Sequence, residues 1–535
     1  MRKWLIAAVP AALALLLAGS ALGVQGPSVQ VNVNVDFDHG ASFPQNKQNE
    51  PSIARDPQTG MLIAGANDES SFDLCTGTTA PLASPCPFTP GRPISAYYRS
   101  LDGTSWAGGY LPGFDTIGRR SGGDPSLDVG PRRCAGRFSW SCGSSVYYAS
   151  LADPYPVFAS EQVTVSRSYN DGASWSNPVE AASTDRTADF GDHEWIAADK
   201  VASSPWFGRL YLFWADYCNS CSGNGRVKLY VASSDDEGRT WSPGVQVSAG
   251  NNNAAQGFRE TGQITVASNG TVEAFWTENA DSKGKYQNLQ VVATSKDGGR
   301  MFTAPITIAS VVDYPLSGTP FDAVDLFNRV PGMSARVDCY PHPASDPTSN
   351  NVIAVWCDFA GGVGVVKAAI SSDGLTWTKL GTIAQVTGRN AFFPAVDVSP
   401  NGLISVAFDA LTAPPASDPW QTGVQVYDAF YVQRAPASSG FTAPLQVSTA
   451  SSNPDGSAYN NLQEQFIGDY IDLAAGSTST TVVWTDARNA TPCAAVNAYR
   501  AAVYAGSKTA VAPNPDSACA QSFGDTDTYA GIIGQ

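Results

Sequence analysis

The chain has 535 residues, 15% of them charged, and a formal net charge of −16. It is too long for a simple two-sheet sandwich, and so acidic a chain repels nucleic acid and anionic lipid. With 50 glycines, 36 prolines and no long capped amphipathic segment, it does not read as a helical bundle but as an almost all-β protein.

The chain opens on MRKWLIAAVPAALALLLAGSALG: two cations, an apolar stretch, then small residues. That is the pattern of a secretory signal over residues 1–23, and the stretch is short for a membrane span. No cysteine follows LAGS to carry a lipid, and no other apolar run is long enough to cross a bilayer. Residues 24–535 are therefore expected as one exported domain, extracellular or periplasmic, at a net charge of −18 once Arg2 and Lys3 are gone. The mature chain begins SVQVNVNVDFD, an alternation typical of a strand but with no partner of its own nearby.

A strand ending in a carboxylate then recurs seven times, at Asp68, Asp153, Asp216, Glu278, Asp358, Asp409 and Asp486. Upstream of each lies a first strand: EPSIARD, DPSLDV, HEWIAAD, GQITVAS, ARVDCY, FPAVDVS and DYIDLAA. Downstream, a third strand runs into a turn of the form S-x-D-x-G-x-T-W: SLDGTSW at Ser100, SYNDGASW at Ser168, SDDEGRTW at Ser234, SKDGGRMF at Ser295 and SSDGLTW at Ser371. Serine and aspartate side chains hold such a turn, glycine supplies a positive φ, and the aromatic buries a large surface beside the hairpin. Each repeat is thus a four-stranded antiparallel meander, roughly 55 to 75 residues long, and radial stacking of such sheets is a β-propeller. Seven blades are expected, with six as the alternative. The seventh repeat has no such turn. Its third strand is expected near Ala495 to Tyr504, and the N-terminal run Val29 to Val35 is expected to close the ring in that blade.

The ten cysteines fall in close pairs: Cys75 with Cys86, Cys134 with Cys142, Cys218 with Cys221, Cys339 with Cys357, and Cys493 with Cys519. In an exported chain these read as loop disulfides. His39, His193 and His342 have no zinc-site spacing, and no GxSxG elbow is present.

The repeated turn resembles the Asp-box, or bacterial neuraminidase repeat, of sialidases and their secreted relatives, and the resemblance covers nearly all of the mature chain. It implies a propeller with the Asp-boxes on one face. It speaks less directly to activity, because many Asp-box propellers are not sialidases. Known sialidase propellers have six blades, so the count of seven is a departure.

Antiparallel order puts first-strand starts and second-strand ends on the face away from the turns. Glu50, Asp124, Asp192 and Glu194 should gather there with the seven strand-end carboxylates, either as a glycosidase site or as local turn caps. Sialidases clamp the substrate carboxylate with three arginines, attack with a tyrosine paired to a glutamate, and use an aspartate acid/base. By the resemblance, Asp124 is the acid/base, Tyr470 of GDYIDL the nucleophile and Glu260 of FRETGQ its partner. Arg336 and Arg389 stand for two of the arginines. Arg259, Glu50, Asp192 and Glu194 complete the expected substrate-binding set. The first arginine is missing: the strand start reads NEPSIARD, with Glu50 and Pro51 where the cation belongs. The expected function is a retaining sialidase-like glycoside hydrolase, a monomer acting on glycan or glycoprotein. The alternative is a non-catalytic propeller that binds glycan or protein through its acidic loop face. No cofactor is required by either, and calcium is carried as an alternative because clustered carboxylates recruit cations.

Overall fold

A computed structural model describes residues 26–36, 41–69, 94–154, 161–182, 189–218, 226–248, 259–281, 286–315, 328–415 and 425–535. The signal segment 1–23 and the Cys75–Cys86 and Cys218–Cys221 pairings lie outside the described residues. The disulfides Cys134–Cys142, Cys339–Cys357 and Cys493–Cys519 are formed.

The strands make seven four-stranded antiparallel sheets, each ordered as a meander from the inside outward. Blade one is Gln48–Arg55, Leu62–Asp68, Ser95–Ser100 and Ala107–Tyr110; blade two is Arg119–Cys134, Arg137–Pro154, Gln162–Ser168 and Val179–Ala182. Blade three is Asp189–Ala198, Leu210–Cys218, Arg226–Ser234 and Val245–Gln246; blade four is Arg259–Val266, Val272–Asp281, Tyr286–Ser295 and Ile306–Val311. Blade five is His342–Ser345, Val352–Asp358, Val365–Ser371 and Thr378–Ala384; blade six is Arg389–Val398, Ile404–Thr412, Tyr427–Arg434 and Leu445–Gln446. Blade seven is Asp472–Ala475, Ser479–Asp486 and Asp527–Gly534, and its outermost strand is Ser28–Asn34 from the other end of the chain. The strand Ser28–Asn34 pairs antiparallel with Asp527–Gly534, from Ser28 opposite Gly534 to Asn34 opposite Tyr529, so the two ends of the chain close the ring.

Two expectations are corrected. The segment expected as the third strand of blade seven is a helix, α1, Ala494–Tyr504, and the third strand lies further on at Asp527–Gly534. The sequence AAVNAYRAAVY is rich in alanine, the best helix former, and buries Val496, Tyr499 and Arg500 on one stripe. The first strand of blade five is not ARVDCY but the short His342–Ser345, which pairs with Val352–Val355.

The turns between third and fourth strands of blades one to five are held as their residues predict. In blade one, Ser100 Oγ donates to Asp102 Oδ1 at 3.1 Å, and the backbone N–H groups of Thr104 and Ser105 donate to the same oxygen at 2.8 Å each. Those backbone donors hold the Asp102 carboxyl below its ordinary range, and Thr376 and Leu375 do the same for Asp373 in blade five. The aromatic that ends each turn packs towards the preceding blade: Trp175 of blade two lies 5.5 Å from Tyr97 of blade one, and Trp377 of blade five lies 5.5 Å from Phe275 of blade four. Among the described residues, no helix is long and apolar enough to cross a membrane.

Candidate functional site

On the face away from these turns, the first strands of blades one, two, three, four and six each carry a β-bulge near their start. In four of them a non-glycine residue takes the left-handed conformation there: Glu50 at φ 54°, Asp124 at 53°, His193 at 49° and Phe393 at 47°. Such residues cost about 1 kcal/mol or more and cluster at functional sites. The backbone is fixed two residues further on, where a side chain receives an N–H from the next blade. Leu127 N donates to Ser52 Oγ at 3.3 Å, Ile196 N to Ser126 Oγ at 3.0 Å, Val396 N to His342 Nδ1 at 2.8 Å and Ile53 N to Asp472 Oδ2 at 3.0 Å.

This register identifies the matching residue in every blade. Counting back two from His342 and Asp472 gives Tyr340 in blade five and Tyr470 in blade seven. In blade four, Ile264 falls level with Ile53, Leu127 and Ile196, which puts Thr261 at the position and Glu260 one before it, as Asp192 and Asp469 are in blades three and seven. The central mouth thus receives Glu50, Asp124, His193, Tyr340, Phe393 and Tyr470, and Thr261 holds the matching register position in blade four.

Glu50 and Asp124 meet. Asn67 bridges them, donating from Nδ2 to Glu50 Oε2 at 2.6 Å while its Oδ1 accepts from Asp124 N at 2.7 Å, and the two carboxyls lie close enough to act on each other's charge. Burial, then the nearby Asp469 carboxylate, pushes Glu50 up to about 8; burial, then Glu50, holds Asp124 well above its ordinary range. Glu194, in the place where four other blades have proline, is 2% exposed, and neither of its carboxyl oxygens has a hydrogen-bond partner on another residue. Burial raises it strongly as well. The Oε1 of Gln263 is likewise buried and unpartnered. Asp124, Glu194 and Gln263 line a narrow cleft with His193, Trp195, Tyr340 and Tyr470, with about 10 Å³ of free space, the room of one water.

The remaining expected residues take the following places. Tyr470 is 6% exposed; its hydroxyl donates to Pro125 O at 3.1 Å, its ring stands edge-on to Trp195, and burial pushes it well above its ordinary range. Arg336 is held in a fork by Asp469, with Nε to Oδ1 at 2.8 Å and Nη2 to Oδ2 at 2.6 Å, and lies over Phe466. Asp192 lies close enough to Glu50, Asp124 and Glu194 to act on the charge of all three. Arg389 is held elsewhere: it pairs with Asp428 of its own blade at 2.7 Å and packs over Phe430. The side chains of Arg259 and Glu260 lie outside the described residues. Lys47, near the vacant first-arginine position, is buried against Glu69 at 2.9 Å.

Sequence reasoning missed Asp469, Tyr340 and His342. Asp469 adjoins Tyr470 and binds Arg336, while Tyr340 donates to Asp469 O at 3.1 Å. His342 accepts at Nδ1 and is neutral, pushed down to about 3 by burial. The signal was present in the repeated X-Pro at EPS, DPS, YPH and FPA. Among the described residues, no group of three or more His, Cys, Asp or Glu has a metal-holding arrangement.

No family model matches the chain, and no curated protein matches it. Solved structures with a similar fold include a protein of unknown function from Dyadobacter fermentans (15% identity, 77% of this chain and 100% of that chain, TM-score 0.40). Others are the α-L-arabinofuranosidase Arb93A of Fusarium graminearum (14%, 76% and 98%, TM-score 0.44) and the leech intramolecular trans-sialidase (11%, 70% and 67%, TM-score 0.40). At these identities no residue role transfers from one chain to the other.

Proposed function

We propose that this chain is an exported glycan-acting hydrolase of Asp-box, sialidase-like architecture, with the Glu50–Asp124 carboxyl pair as its proton-handling centre. The observation that carries the reading is that pair: two acids buried at the mouth of the ring and bridged by Asn67, so placed that burial and their mutual repulsion favour keeping a proton at neutral pH. A carboxyl kept protonated in this way protonates a departing glycosidic oxygen, and its ionised form then draws a proton from water. Asp124 is the acid/base in this reading. Tyr470, with Glu260 one position out of its register in blade four, is the nucleophile and its partner.

The substrate is a neutral glycan. An anionic sugar needs free cations, whereas Arg336 is already forked onto Asp469, Arg389 is paired with Asp428, and the mouth carries Glu50, Asp124, Asp192 and Glu194. The test is a turnover assay of the mature protein on neutral aryl glycosides and aryl sialosides, alongside Asp124→Asn. Turnover of a neutral glycoside that falls at least a hundredfold in the variant supports the reading; no turnover on any substrate overturns it.

A second reading, a glycan-binding propeller without catalysis, is favoured by Tyr470, whose hydroxyl is already engaged by Pro125 O and is far from ionising. Specific retention on a glycan array without hydrolysis would select it.

A further inference from the structure

The turn between third and fourth strands opens on a serine that faces the second strand, at its first residue in blades one, three, four and five. The pairs are Leu62 with Ser100, Val146 with Ser168, Leu210 with Ser234, Val272 with Ser295 and Val352 with Ser371. In blade six that position is Arg434, opposite Ile404. The segment RAPASSGF, residues 434–441, keeps the spacing but only the terminal aromatic, Phe441. Thr442 N donates to Gln433 O at 2.9 Å just as Ser242 N donates to Ser233 O at 2.8 Å, so the hairpin is the same while the serine and aspartate that bind it elsewhere are gone.

Beside this altered turn, a groove of about 240 Å³ opens between blades five and six. Ile353, Ile370, Val398 and Ile404 line it, and Arg434 stands in its wall. The Arg434 guanidinium lies over the Phe441 ring at 5.6 Å, and among the described residues it forms no ion pair or hydrogen bond. The groove's one carboxylate, Asp346, is occupied locally by Thr348 N at 2.8 Å, Thr348 Oγ1 at 2.7 Å and Ser349 Oγ at 2.6 Å.

We propose that this groove is a binding site for a small carboxylate with a compact apolar body. The carboxylate sits on the Arg434 fork, whose planar donors match it two to two, and the body lies on the isoleucine and valine side chains. An apolar cavity of about 150 Å³ takes benzene, so a groove of about 240 Å³ takes an aryl ring with a short acid arm. The site lies at the turn-bearing end of the blades, the opposite end from the Glu50–Asp124 pair, and does not depend on what that pair does.

The test is calorimetric titration of the mature protein with 3-phenylpropionate, its methyl ester and 2-phenylethylamine. The expected result is one saturable site for the acid, binding at least tenfold weaker for the ester and the amine, and affinity for the acid that falls as salt is added. Arg434→Gln should weaken the acid at least tenfold while leaving the melting temperature and any glycan turnover unchanged. Should that variant fold poorly, the acid-over-ester preference of the unaltered protein decides the matter. No saturable binding of the acid at millimolar concentration, an ester that binds as well as the acid, or a well-folded Arg434→Gln that binds undiminished would each overturn the proposal.

Discussion

Glu50→Gln should make this protein more stable at pH 7.5 and leave it unchanged at pH 4.5. A carboxyl whose folded pKa lies above its unfolded value stabilises the fold fully below the unfolded pKa, and that contribution drains away as pH rises towards the folded one. Glu50 moves from an ordinary 4.5 to about 8, with burial the largest cause and Asp469 the next. Each pH unit in that window is worth about 1.4 kcal/mol per group, so three units set an upper bound of about 4 kcal/mol. Sharing a proton with Asp124 lowers this, to on the order of 2 to 4 kcal/mol. Glutamine keeps the shape, still accepts from Asn67 and carries no charge to desolvate. His342, pushed down to about 3, acts in the opposite sense as pH falls from its unfolded value of 6.5, but it is present in both proteins and cancels in the difference. Urea unfolding of both proteins at pH 4.5, 6 and 7.5, followed by tryptophan fluorescence, gives the comparison. An equal shift at all three pH values, or a parent more stable than the variant at pH 7.5, would refute the protonated pair.

Removing residues 26–35 strips the outermost strand from blade seven and bares the Asp527–Gly534 edge; light scattering should show self-association that the parent lacks. Trp241→Ala removes a half-buried ring packed in the cluster that contains Val165 and Leu210. It should cost on the order of 2 to 4 kcal/mol by urea unfolding, while the protein that stays folded keeps its central-face activity or binding. Tyr470→Phe deletes the bond to Pro125 O, a loss of about 1 kcal/mol. Under the hydrolase reading it also abolishes turnover, and a Tyr470→Phe variant with full kcat would remove Tyr470 from the mechanism.

The ring was legible because its signals are local and repeated: strand alternation, S-x-D-x-G turns and strand-end carboxylates recur with the period of one blade. The closing strand was legible for the same reason, since Ser28–Asn34 alternates without a neighbour to pair with. The seventh blade's third strand was not, because a 40-residue insertion, residues 487–526, separates it from Asp486 and places an alanine-rich helix where the period expects a strand. At the site, Glu50, Asp124 and Glu194 could be named from their strand-start positions. The fork between Arg336 and Asp469 spans 133 residues and has no local pattern, so neither the loss of Arg336 as a free cation nor the separation of Arg389 could be read ahead.

The bulged strand starts of five blades set the residues that face the mouth apart from the stitches between blades. In the blades where it is seen, the backbone is locked by the side chain two positions further on, at Ser52, Ser126, His342 and Asp472, and not by the residue that faces the mouth. A substitution at a facing position therefore leaves the Ser52, Ser126, His342 and Asp472 stitches in place, while at Glu50, Asp124, Tyr340 or Tyr470 it also alters a contact that crosses from one blade to another. The mouth is a set of matching positions, one per blade, at Glu50, Asp124, His193, Thr261, Tyr340, Phe393 and Tyr470, of which Glu50 and Asp124 act on each other's charge. A saturation library restricted to these seven codons would measure how far the chemistry of the mouth can change while the blades keep their fold.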